Sequence, residues 1–170
     1  YQLGGKAIQG CMACGKCVEN RDMHCINRND AFHQDHLFEK MVKADAIIIG
    51  TPTYFSDVTA EVKALIDRAG FTSIANGVAL SGKVGSSVVA MRRAGAVHAF
   101  ETINYFFHLN RMIVPGSTNW NVGIGLNPGD VANDAEGMAN MQHLGEAIDW
   151  LGKAIAAQPT KFPVGVGAQG

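Results

Sequence analysis

A chain of 170 residues is long enough for one domain whose core needs no staples. A formal net charge of −1 leaves no basic stripe to follow a phosphate backbone, which argues against nucleic acid as a partner. No apolar run approaches the roughly 20 residues of a membrane helix, so the sequence reads as a soluble protein with no membrane partner.

In chain order, residues 2–9 hold at most the remnant of a strand. No signal peptide opens the chain, and a start at Tyr1 instead of Met leaves room for a missing N-terminus. All four cysteines then fall within residues 10–25 (GCMACGKCVENRDMHC). Cys11, Cys14, Cys17 and Cys25 form C-x2-C-x2-C-x7-C. Thiols gathered this closely in a domain that needs no disulfides point to metal or redox use in a reducing, cytoplasmic setting. Three cysteines at spacing three suit a chain curling round a cubic [4Fe-4S] cluster, with the fourth closing the site. The bacterial ferredoxin run differs, with three residues before its last Cys and a Pro after it; here there are seven, and Ile26 follows. Zinc is the main rival, with His24 or the His33-x2-His36 pair able to replace a thiolate. Against zinc, structural sites pair two separated C-x2-C knuckles. A C-x-x-C disulfide and unliganded thiols also stay open.

Residues 35–44 (DHLFEKMVKA) put Leu37, Phe38, Met41 and Val42 on one helical face. Residues 45–50 (DAIIIG) predict a parallel strand covered on both faces. After the loop TPTYFSD, Val58, Val62, Leu65, Ile66 and Ala69 recur at helical spacing, with Ser56 or Asp57 available as the cap. In this reading Asp67 and Arg68 are an ordinary surface or interface pair. A strand over 83–91 and a helix over 97–109 follow, then a strand over 112–114. A long Gly/Asn-rich loop leads to a last helix with Met138, Met141, Leu144, Ile148, Leu151 and Ile155 in one stripe and both methionines in the core. The tail from Pro159 is Gly- and Pro-rich and is expected to lie outside the core. This divides the chain into one domain over 1–157, carrying the cysteine loop at 10–30, and a tail over 158–170.

Strands alternating with helices predict a three-layer α/β/α domain, a doubly wound parallel sheet with helices on both faces. Ligands of such folds bind beyond the carboxyl ends of the strands. The loops due there are TPTYFSD, RRAGAVH and the one holding Trp120. His98, His108 and His143 lie on helical patterns and read as packing or surface groups.

The cysteine loop, followed by KADAIIIGTPTYFSDVTAEVKALIDRAG, SGKVGSSVVAMRRAG and GIGLNPGDVANDAEGMANMQHLGEAIDWL, resembles the flavodoxin-like, NAD(P)H-dependent FMN reductase superfamily. Within it the resemblance is to the iron-sulfur flavoproteins, and it covers most of the chain. The superfamily normally begins with a strand and a phosphate-gripping loop; nothing like them precedes Tyr1, so the chain resembles a shortened member. The resemblance implies an FMN-dependent oxidoreductase that passes electrons between FMN and a [4Fe-4S] cluster, with NAD(P)H as possible donor. It implies that Thr51, Pro52, Thr53, Tyr54 and Phe55 wrap the isoalloxazine ring, with backbone N–H groups at a helix start and an aromatic over one face. Without the resemblance the same residues read as a plain strand-to-helix turn with a Tyr packed beneath it. Met91, Arg92, Arg93, Ala94 and Gly95 approach the flavin or read instead as a solvated basic turn. Trp120, between Asn119 and Asn121, shields the cofactor or makes an oligomer contact. A homodimer or homotetramer and a redox protein or quinone acceptor are the expected partners. The first alternative is a quinone or FMN reductase of the same fold without a cluster. The second is a zinc-stabilised binding module with no enzymatic activity.

Overall fold

Ile47, Ile48 and Ile49 are β-branched and stiff at χ1, which favours an extended, pleated backbone. They form the centre of β1 (Ala46–Pro52), which pairs in parallel with β2 (Val84–Met91) from Ala46↔Val84 to Pro52↔Ala90. A third strand, β3 (Val122–Ile124), pairs in parallel with the end of β2, from Val89↔Val122 to Met91↔Ile124. The sheet order is β1-β2-β3. These elements come from a computed structural model that describes residues 1–163 and 165.

Among the described residues six α-helices accompany the sheet. Three are short and precede it: α1 (Lys16–Asn20), α2 (Ala31–Gln34) and α3 (Leu37–Lys43). The crossovers are α4 (Ala60–Ala75), between β1 and β2, and α5 (Ala96–Leu109), between β2 and β3. A 3₁₀ turn at Asp130–Asn133 leads into α6 (Ala135–Ala156). One continuous core joins Phe32 and Phe38, Ile47 and Ile49 of β1, Val62 and Leu65 of α4, Val89 of β2, and Ile103 and Phe107 of α5. Gly85 is the close-approach point: a Cβ there would lie 2.7 Å from the Phe107 ring.

Several sequence expectations change. Residues 2–9 form no strand. Residues 112–114 are not a strand of the sheet, although Ile113 makes an isolated parallel bridge to Val84. The third strand lies instead inside the predicted loop. Ile113 and β3 thus flank opposite ends of β2, with residues 114–121 looping out between them. Three consecutive residues carry too little periodicity to reveal such an interruption. The cap of α4 is neither Ser56 nor Asp57: Thr59 Oγ1 accepts from the Val62 N–H at 3.4 Å, because the chain first turns back at Tyr54 and Asp57.

β1 is not covered on both faces. Ile47, Ile49 and Thr51 are buried, while Ile48, Gly50 and Pro52 are exposed, the alternation of a strand packed on one side. On α6 the buried stripe is Gly137, Asn140 and Leu144, which turns Met138 to solvent. Residues 157–163 form no helix or strand, and the Phe162 side chain rests over Gly82. Part of the predicted tail lies outside the described residues.

Gly85→Ala is expected to destabilise the fold by about 1–3 kcal/mol, the usual cost of overpacking. Urea unfolding measures it, and a change below about 0.5 kcal/mol would show that the Phe107 ring moves aside freely.

Candidate functional site

The carboxyl ends of β1 and β2 carry two of the predicted loops, and the third precedes β3. Where residues 53–56 meet Gly95, a Cβ would fall 2.6 Å from Ser56 Cα and 3.0 Å from Thr53 Cγ2. Gly95 also has φ +88°, so it alone satisfies both the turn and the contact. A cavity of about 340 Å³ opens beside this contact, lined by Met91, Ala94, Gly95, His98, Trp120 and Ile124 among others. Its volume lies within the range of small-molecule sites.

The predicted site residues divide. Met91, Ala94, Gly95 and Trp120 come together in this cavity. Pro52 and Tyr54 line a different one of about 470 Å³, alongside Ile48 of β1 and residues 1–5. Thr51 is buried; its Oγ1 donates to the Pro52 carbonyl at 2.8 Å and accepts from the Thr59 N–H at 3.2 Å. Thr53 N–H donates to Ala90 O at 2.8 Å and Tyr54 N–H to Asp57 O at 2.9 Å. The Thr53 N–H thus bonds across to β2 and the Tyr54 N–H closes the turn, and α4 begins only at Ala60. Phe55 is fully exposed at φ +48° and covers nothing within the chain. Arg92 and Arg93 are exposed as well.

The Trp120 loop is held from α6. Buried Asn140 donates through Nδ2 to Trp120 O at 2.8 Å, while its Oδ1 accepts from Thr118 Oγ1 at 2.9 Å and Asn119 N at 3.2 Å. Asn121 donates to Ser87 O at 3.0 Å, tying the loop to β2. Asp134 closes the same end, accepting from Ile124 N at 2.8 Å and Gly137 N at 3.0 Å. Those bonds, the one from Gly137 first, hold its carboxyl below the usual range. His98, a surface group as expected, has Nε2 3.4 Å from Asp57 Oδ2, bridging the first two loops at the edge of the cavity.

At the other end of the domain, all four cysteines line one cavity of about 140 Å³ together with Arg68, Phe71 and Thr72. The loop turns back on itself through positive φ at Ala13 and Gly15, and Cys11 Sγ accepts from Ala13 N at 3.4 Å. Burial pushes the Cys17 thiol above its ordinary value. Among the described residues no three thiol, imidazole or carboxylate groups converge on a point that one metal ion could fill. His24, His33 and His36 gather instead round Glu39, which lies 3.6 Å from His24 Nε2 and 3.1 Å from His36 Nδ1.

Arg68 is not a surface residue. It is 1% exposed, paired with the equally buried Asp30, while Asp67 pairs with Lys63 at 2.6 Å. The signal was present, since position 68 falls on the buried stripe of α4 with Leu65 and Thr72, and a charge there requires a partner.

Comparison with known proteins decides the family. Residues 2–126 match the family described as NADPH-dependent FMN reductase. The chain belongs to that family. It is 33% identical over 160 residues to an iron-sulfur flavoprotein of Methanocaldococcus jannaschii, covering 90% of this chain and 79% of that protein. It is 32% identical over 148 residues to the iron-sulfur flavoprotein of Methanosarcina thermophila, covering 86% and 73%. A WrbA-like flavodoxin from Agrobacterium tumefaciens superposes with a TM-score of 0.55 at 15% identity, over 68% of this chain and 71% of that one. The fold is thus the α/β flavodoxin-like one, a parallel sheet flanked by helices. Among the described residues no helix is long and apolar enough to cross a membrane.

The depressed carboxyl of Asp134 gives a signed pH dependence. Its ionised form is favoured by folding, so its contribution is present above the unfolded value and lost as pH falls through the folded one. The thermal midpoint should fall on acidification from about pH 5, and Asp134→Asn should flatten that fall. Asn can keep the cap to Gly137 but has no second oxygen for the Ile124 N–H, so the variant should also be about 0.5–1.5 kcal/mol less stable at pH 7; an identical acid limb in the variant would remove Asp134 from the linkage.

Proposed function

We propose that the chain is an FMN-dependent oxidoreductase of the electron-transferring iron-sulfur flavoprotein type, with a [4Fe-4S] cluster on Cys11, Cys14, Cys17 and Cys25. The observation that carries it is the single cavity lined by all four thiols. Four thiolates round one zinc ion would sit roughly 3.8 Å apart, and such convergence is not found among the described residues. A cluster spreads the same ligands over several irons, which suits cysteines that share a wall without meeting at a point. The iron-sulfur flavoproteins of the two archaea support the same reading.

The loops at the strand ends fit an isoalloxazine. Gly95 and Ala94 keep the backbone accessible, Met91 and Ile124 present apolar walls, and Trp120 offers a stacking face. Arg92 and Arg93, exposed beside that cavity, supply positive charge for an anionic flavin or the phosphate of NAD(P)H. When bound, flavin supplies two-electron chemistry and the cluster single-electron chemistry. The chain positions both and keeps water from the faces it covers. The acceptor is a redox protein or a quinone. Exposed Phe71, Ile74, Tyr105 and Leu109 line or border an apolar groove between α4 and α5 that suits a homodimer or homotetramer contact.

Protein purified without oxygen should show the flavin double band on a broad sulfide-to-iron charge-transfer background. Cys14→Ser should remove the background, with at least about tenfold less iron, and leave the flavin bands. Flavin bands alone in the unaltered protein would favour a cluster-free quinone or FMN reductase. A Gly95→Ala change, strained at φ +88° and blocked by Ser56, should weaken FMN binding by about tenfold or more. Fluorescence titration reads this, and an unchanged affinity would move the flavin away from this contact.

A further inference from the structure

Arg68, in the middle of α4, lines the same cavity as the four cysteines. Its guanidinium is committed in several directions. Nη2 donates to Asn27 O at 2.7 Å, Nη1 donates to Gln9 O at 3.4 Å and to Asp30 Oδ2, and the plane lies 4.2 Å over the Phe32 ring. Asp30 Oδ2 also accepts from Gln9 N at 2.8 Å, and Asn27 Nδ2 donates to Gln9 Oε1 at 2.6 Å. Gln9 is two residues before Cys11, and Asn27 two after Cys25. One side chain therefore fastens both ends of the cysteine loop to the helix beneath it. A rigid fork achieves this where a single ammonium cannot. Its Nε–H is buried without a partner among the described residues, which leaves one donor uncommitted in a residue that lines the cavity.

We propose that Arg68, oriented by Asp30, is the positioning residue of the cluster site: it closes the cysteine loop at its base and raises the reduction potential of the cluster. The inference rests on the cluster reading above. Four thiolates make the bound group anionic, and taking up one electron adds a further negative charge. A desolvated cation in the cavity wall stabilises that reduced form more than the oxidised one. Asp30 does not line the cavity; it neutralises and aims the guanidinium from behind.

The test is a mediated redox titration of the anaerobic holoprotein, with iron, sulfide and flavin assayed in each sample. Asp30→Asn keeps the shape of the pair and leaves the Arg68 charge unopposed. Adding Arg68→Gln to it removes the cation without burying an orphan charge. The double variant should titrate below Asp30→Asn by at least a tenfold change in the oxidised-to-reduced ratio, about 59 mV for one electron. Asp30→Asn should titrate above the unaltered protein. A merely structural role would change iron content in both variants while leaving their potentials equal.

Arg68→Lys supplies a second readout if the double variant does not fold. It keeps the charge and loses the fork, so trypsin should cut at Lys16 or Arg21 at least tenfold faster. Equal potentials in iron-loaded variants overturn the inference alone, as does unchanged cleavage of Arg68→Lys. Absence of iron and sulfide from the unaltered protein overturns the cluster reading and this inference with it.

Discussion

The buried Arg68–Asp30 pair is the interaction on which the front of the molecule depends. The first 30 residues hold one helix of 5 residues, α1, and no strand, so regular backbone hydrogen bonding does little to order them. Apolar packing of Leu3, Ile8 and Met23 on the core is joined by polar contacts from α4 and its C-cap: Arg68 to Gln9, Asn27 and Asp30, and Asn76 Oδ1 accepting from Met23 N at 3.1 Å. Desolvating a guanidinium and a carboxylate costs several kcal/mol each, and pairing alone does not offset this without further hydrogen bonds. The carbonyls of Gln9 and Asn27 and the ring of Phe32 supply those extra contacts, so the pair is coherent only while the cysteine loop is in place. Loop geometry and core stability are thereby coupled.

At the opposite end a comparable device acts on neutral groups. Residues 114–121 interrupt the strand that would otherwise run from Ile113 to Ile124 along β2. The excursion leaves backbone groups without sheet partners, and Asn140 and Asn121 take several of them up. Buried asparagines suit this because one amide both donates and accepts. The result is a tryptophan held at the mouth of a cavity by contacts from α6, a helix that otherwise buries only one narrow stripe. The flavin reading proposed for this cavity calls for such fixed placement, since a flavin brings the reactivity and the protein sets distance and polarity.

The two sites differ in how far the chain separates their parts. The cysteines are contiguous, so their grouping was plain from spacing, and the structure adds only the floor on which they rest. The strand-end site draws on residues 53–56, 91–98, 119–124 and 134–140. Glycines and an arginine pair marked two of these loops. The contributions of Asp134, Asn140 and His98 were hidden in helical patterns, where polar residues ordinarily face water.

Sequence alone determined the class of fold, because β-branched runs alternating with amphipathic helices allow few other arrangements; it located β1, β2, α3 and α5 closely and stopped α4 six residues short of Ala75. It determined the four thiols as one group through local spacing. Only the tertiary structure decided that Arg68 is buried and Met138 exposed, that the third strand lies at Val122–Ile124, and that Pro52 and Tyr54 face a different cavity from Met91 and Trp120. Periodicity reports which residues share a face of one element. Which face meets the core, and what partner a buried charge finds, depends on contacts between residues distant in the chain, such as position 68 with positions 9, 27 and 30.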